Sequence, residues 1–237
     1  MSVNNNHATQ TVTASQPLRV ASVSSLNNKP VIRLDGIDDF MDFSRMTDIR
    51  SAFFIIKHRT GQQASAPLLG DMSGSYPWSN YGTPNDSGLI GSFASPFILS
   101  DSVHVNGVAG LALDNKKPKQ YSIVSFLTSG NVSAQYITCD QGVTDRVWDG
   151  DYAEIILYNS VLTPLQRQQV EQYLQTKYAP PVNLGPDQTI AYGFCPAELD
   201  AQKDWFKSYQ WSTGATSDSI LTSLSGAYSL TVTNTFG

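Results

Sequence analysis

Three groups of side chains in this 237-residue chain have the types and spacing that chemistry requires. Asp149, Asp151 and Glu154 form the pattern D-x-D-x-x-E. Two carboxylates flanking a glycosidic bond serve as nucleophile and acid/base in glycoside hydrolysis. Residues two apart on a strand share a face, and the third carboxylate joins them only where a bulge shifts the register. Gly150, however, reads as part of a turn, and Asp149 is one methylene shorter than glutamate. The simpler expectation is a non-catalytic turn whose acids bond backbone or water, with Glu154 buried and paired to Arg33, Lys57 or Arg59.

The second group lies between 67 and 96, where periodicity gives way to Gly, Pro, Ser and Asn with Tyr76, Trp78, Tyr81 and Phe93 interleaved. Exposed rings in such a loop stack on the apolar face of a sugar, and Asn80, Asn85 and Asp86 supply polar partners for its hydroxyls. The competing expectation is that the rings fold back and cap an open end of the protein. The third group, Asp35, Asp38, Asp39 and Asp42, packs hard oxygen ligands around one turn and is a candidate calcium site, although EF-hand spacing is lacking. A solvated acidic turn is the alternative. His7, His58 and His104 are scattered, without the neighbours that a zinc site or a Ser-His-Asp triad would need.

The elements that would hold these groups are mostly strands. Residues 31–34 and a short strand carrying Met41 and Phe43 flank an Asp35-Gly36 turn, and 52–59, AFFIIKHR, reads as a central strand covered on both faces. Asn106-Gly107 between apolar residues is a strong hairpin signal. Residues 121–128 and 132–138 alternate around Ser129-Gly130-Asn131 as a second hairpin. A strand over 152–158 follows, with Ala153, Ile155 and Leu157 opposite Tyr152, Glu154, Ile156 and Tyr158. A helix then starts at a capping box, with Thr163 as the cap, Pro164 at the first position and Gln166 closing it. Its apolar face would carry Val170, Tyr173, Leu174 and Tyr178, and Pro180 and Pro181 end it.

The fold class is therefore all-β: an antiparallel β-sandwich with one C-terminal amphipathic helix over 1–179, a proline linker at 180–182, and a smaller β-unit over 183–237. That last unit has about five short strands, with Tyr209 and Trp211 as core. Net charge is −5 with the signs interspersed. No basic stripe exists to bind nucleic acid, and no apolar run is long enough for membrane insertion. Only 15% of residues are charged, a balance typical of exported β-proteins. Cys139 and Cys195 show no metal-ligand spacing, and Cys139, in a strand pattern, reads as a buried apolar residue.

NNNHATQ, KPVIRLDGIDDFMDF, FFIIKHR, the VNG hairpin and WDGDYAEIILYNSVLTPLQRQQVEQYLQTKY together resemble concanavalin A-like or laminin G-like jelly-roll domains of exported bacterial surface proteins, over residues 4–179. NLGPDQTI, SYQWSTGATSDSI and GAYSLTVTNTFG resemble the immunoglobulin-like or PKD-like modules that follow such domains in secreted proteins of the Bacteroidetes type. The resemblance implies a jelly roll followed by a partial immunoglobulin-like sandwich, located outside the cell within a larger polypeptide. The implied function is recognition of a glycan or another cell-surface component, without catalysis. Laminin G-like domains sometimes hold calcium. Jelly-roll glycanases carry E-x-D-x-x-E where this chain has D-x-D-x-x-E, so hydrolysis ranks behind binding and behind a purely structural spacer role. In that family a cysteine and a last strand follow NTFG, which implies a chain cut short and a Cys195 without its partner.

Overall fold

The computed structural model describes residues 7–60, 65–73, 76–81, 87–100, 102–143, 146–189 and 196–237. Strands dominate: β1 (Leu18–Val23), β2 (Lys29–Asp35), β3 (Met41–His58) and β4 (Leu69–Gly70) precede a single-turn helix α1 (Pro96–Leu99). There follow β5 (Ser102–Val105), β6 (Val108–Leu111), β7 (Ser122–Ile137), β8 (Asp149–Tyr158) and helix α2 (Pro164–Tyr178). The remainder forms β9 (Ala197–Asp200), β10 (Phe206–Trp211), β11 (Ser219–Thr222) and β12 (Leu230–Asn234).

The first eight strands form one antiparallel sheet in the order β1-β2-β8-β3-β7-β5-β6, with β4 added to β7. β3 lies between β8 and β7, which explains the apolar run from Ala52 to Ile56. Phe54 and Ile56 enter one apolar cluster with Val124, Phe126 and Trp78, while Phe53 and Ile55 enter another with Ile123, Leu174 and Tyr178. Period-two alternation thus feeds two cores from one strand.

Two expected boundaries differ. The strand carrying Met41 and Phe43 does not stop before AFFIIKHR, and β3 runs unbroken for 18 residues. Likewise Ser129-Gly130-Asn131 does not turn a hairpin, and β7 passes through it for 16 residues. Neither Gly130 nor Asn131 takes the positive φ a tight hairpin turn requires, whereas Asn106 and Gly107 do, at 51° and 80°. The 128–131 stretch is instead a bend. The β3–β7 register shifts between Asp42 and Ser51, and the outer halves supply Ile49, Val132, Ala134 and Ile137 to the same cluster as Phe54 and Phe126. The sheet therefore curls over its own inner face.

Helix α2 has the expected cap: the Thr163 hydroxyl accepts from the Gln166 N–H, and the Gln166 side chain accepts from the Thr163 N–H at 2.9 Å. Its buried face is the expected one at Leu174 and Tyr178, with Val170 packed at its edge, but not at Tyr173. Arg167, Glu171, Leu174 and Tyr178 point inward, while Tyr173 is exposed and Val170 half-buried. The spacing still fits a helix, but an ion pair occupies two of the core positions. Arg167 Nη1 donates to Glu171 Oε1 at 2.6 Å, and the Ser125 hydroxyl on β7 donates to the same carboxylate at 2.5 Å.

In the C-terminal segment β10 pairs with β12, and β11 with β9. Among the described residues this gives four strands, against the five expected. Trp211 is buried, Tyr209 is half-buried against Phe206, and Leu230 and Val232 are more buried than Thr231 and Thr233, as the alternation requires. Phe236 belongs to the cluster of Phe53, Leu174 and Tyr178, and Trp205 Nε1 donates to the Pro180 carbonyl at 2.9 Å.

Candidate functional site

The three acids of the D-x-D-x-x-E pattern lie in a strand, not in a turn, and each meets a cation. Asp149 pairs with Arg59 at 3.1 Å, Asp151 with Arg33 at 2.7 Å, and Glu154 with Lys177 on α2 at 2.7 Å. Arg33 and Arg59 are thus correct partners for the wrong acids, and Lys177 was missed because helix and strand meet only in the fold. Ala153 is an extra residue opposite the Ile55–Ile56 step. This bulge turns Ile155 and Leu157 to the face of Tyr152, and Ala153, Ile156 and Tyr158 to the other. Asp151 and Glu154 consequently share the side covered by α2 and Tyr121, whose hydroxyl donates to Asp151. Burial and the neighbouring Asp151 carboxylate raise the Tyr121 pKa well above 10. This arrangement is a neutralised structural network.

At the acidic turn, Asp35, Asp38 and Asp39 offer oxygens within 4.8 Å of one another. Asp42 lies outside that group and accepts from Thr9. Asp35 Oδ1 accepts from the N–H of Ile37 at 2.8 Å, Asp39 Oδ2 from the N–H of Asp35 at 3.0 Å, and Asp38 Oδ2 from the Ser15 hydroxyl at 3.0 Å. Burial first, then the charge of Asp35, raises the pKa of Asp39. Each of the three carboxylates therefore accepts at least one hydrogen bond from the protein, Asp35 and Asp39 from the turn's backbone and Asp38 from Ser15.

The aromatic loop divides in two. Trp78 is fully buried, edge-on to Phe54 and Phe126, with Nε1 donating to the Ser133 carbonyl at 3.1 Å. Asn80 is also buried, its Oδ1 accepting from the Ala66 N–H at 2.5 Å. These two side chains fix the loop to the sheet and present nothing outward. Tyr81 and Phe93, by contrast, are 56% and 57% exposed, with ring centroids 5.2 Å apart. Tyr76 is half-buried beneath the Arg146 guanidinium, 5.6 Å from its ring centroid. Asn85 and Asp86 lie outside the described residues.

Tyr76, Tyr81, Phe93, Ser79, Asp140 and Arg146 line one cavity of about 260 Å³, close to the lower end of small-molecule pockets. It opens between the β4–α1 segment and the β7–β8 connection. Two close backbone approaches build it. A Cβ on Gly91 would lie 2.0 Å from the Tyr81 carbonyl oxygen, and one on Gly70 1.6 Å from that of Cys139. Glycine is therefore required both to bring Phe93 beside Tyr81 and to seat the Asp140 segment against β4.

Asp140 is the feature sequence reasoning missed. Its carboxylate is buried, with the residue 2% exposed, and Oδ1 has no hydrogen-bond partner among the described residues. Burial pushes its pKa up to about 6, with Arg146 and nearby backbone N–H groups opposing the rise and Asp71 adding to it. Asp71 itself is held by Arg45 at 2.8 Å; burial raises its pKa, but Arg45 outweighs this and leaves it below the usual range. The backbone around Asp140 is strained, with Thr138 at φ 66° and Gln141 at φ 53°. Such conformations cluster where a side chain must be aimed. The neighbouring Cys139 lies just beyond β7 and not in a strand, but it is buried as expected, and burial lifts its thiol pKa to about 11. No spacing rule flagged Asp140, because its importance depends on which loop folds over it.

Comparison with protein-family models, with curated proteins and with solved structures gives no match to this chain. Function must therefore be argued from the site itself.

Proposed function

We propose that the chain is a non-catalytic extracellular recognition module that binds a sugar in the Tyr76–Tyr81–Phe93–Asp140 cavity. One observation carries this reading: an exposed pair of rings lines the same cavity as Asp140, a buried carboxylate whose Oδ1 has no hydrogen-bond partner among the described residues. A pyranose supplies what that arrangement lacks, an apolar face for the rings and a hydroxyl for Asp140. The cations on Asp149, Asp151 and Glu154 support a non-catalytic role. In this reading the curled sheet is the core of a jelly roll, and residues 183–237 are part of an immunoglobulin-like spacer in a larger exported protein.

A glycan array followed by isothermal titration tests the proposal. Wild-type protein should bind at least one oligosaccharide at millimolar or lower concentration, and Tyr81→Ala and Asp140→Asn should each weaken binding about tenfold or more. An array without signal would shift the reading to a structural spacer, and variants that bind as wild type does would remove the site from this cavity.

A further inference from the structure

The other charged group at the cavity narrows the ligand further. Arg33, Arg45, Arg59 and Arg167 each hold a carboxylate. Arg146 holds none among the described residues, although Asp140 lines the same cavity. Its guanidinium instead rests over the Tyr76 ring in a cation–π contact, and its N–H fork has no carboxylate partner among the described residues. Arg146 and Asp140 thus line one cavity with the rings, with no ion pair between them among the described residues. A neutral sugar would satisfy Asp140 and the rings but leave the guanidinium to water.

Resting on the recognition reading above, we infer that the ligand is an acidic sugar, a uronic acid residue. Its carboxylate pairs with the Arg146 fork while a ring hydroxyl donates to Asp140 Oδ1. A planar carboxylate matches a guanidinium with two parallel hydrogen bonds, the strongest polar contact open to this side chain. The apolar ring face lies on Tyr81 and Phe93.

Oligosaccharides of galacturonate, glucuronate and mannuronate, each compared with its methyl ester, test this directly, because esterification removes the charge and keeps the ring and its hydroxyls. Isothermal titration should show wild-type protein preferring one free acid over its ester by about tenfold. Arg146→Gln, with its β-sheet circular dichroism retained, should abolish that preference, so that acid and ester bind with equal affinity. Equal affinity of the wild-type protein for acid and ester, or binding of neutral sugars alone, would overturn the acidic-sugar inference and leave sugar recognition standing. Binding to no oligosaccharide of any charge would overturn both.

Discussion

At the scale of single residues, the same carboxylate that offers the ligand an acceptor weakens the folded state. Asp140 titrates at about 6 instead of 3.8 because burial disfavours its charge. An acid whose pKa is raised on folding contributes stability fully present below the unfolded value, and that contribution disappears as pH rises through the folded one. Stability should therefore fall between about pH 4 and pH 6, by roughly 2–3 kcal/mol. The groups facing Asp140 do not reverse the sign: Arg45 neutralises Asp71, Cys139 stays a thiol, and Arg146 offsets only part of the penalty. Asp140→Asn should accordingly be more stable than wild type at pH 7 by about 2 kcal/mol, flatten the pH profile of urea midpoints, and bind sugar less well. A variant that is less stable at pH 7 would contradict the proposed cause. The acidic turn leads to the opposite expectation for metal. Since Asp35, Asp38 and Asp39 already accept hydrogen bonds from the protein, removing calcium with a chelator should leave the melting temperature unchanged. A fall of several degrees would make the turn a calcium site.

At the scale of elements, helix α2 shows what the sequence made legible and what it did not. The cap was readable because Thr163, Pro164 and Gln166 act through local backbone geometry. Thr163→Ala should cost about 1 kcal/mol in chemical denaturation. The buried face was read correctly at Leu174 and Tyr178 but missed Arg167 and Glu171, which look like surface residues until Ser125 on β7 and each other's charges are placed beside them. Breaking this pair by Glu171→Ala leaves an uncompensated buried guanidinium and should cost about 3–5 kcal/mol, whereas replacing Arg167 and Glu171 together by Met and Leu should come near wild type. The strands teach a similar lesson. The Asn106-Gly107 hairpin was legible because positive φ restricts residue choice. The Ser129-Gly130-Asn131 bend and the Ala153 bulge depend on neighbouring strands, and alternation alone cannot register an added residue.

For the whole molecule, the antiparallel β character and the helix that follows β8 were legible from periodicity and punctuation. The candidate cavity was half legible. Tyr76, Tyr81 and Phe93 advertise themselves as aromatics in a polar loop, but nothing in sequence separates the buried Trp78 from the exposed Tyr81. Asp140 and Arg146 come from a connection some sixty residues further on, and only the curl of the sheet puts them opposite the rings. That curl, the helix and the C-terminal segment are tied together: Phe236 is 2% exposed and shares a cluster with Phe53, Leu174 and Tyr178. Phe236→Ala should cost about 3–5 kcal/mol and lower a single calorimetric transition. An unchanged main transition would mean that the C-terminal segment adds nothing to the sheet.

Backbone and aromatic chemical-shift mapping during titration with a uronate oligosaccharide tests the central claim most directly. The account predicts saturable shifts concentrated at Tyr76, Ser79, Tyr81, Phe93, Asp140 and Arg146, with the Asp35 turn and the β5–β6 hairpin unmoved. Shifts centred on the Asp35 turn or the Asp149–Glu154 strand, or none at millimolar sugar, would contradict it.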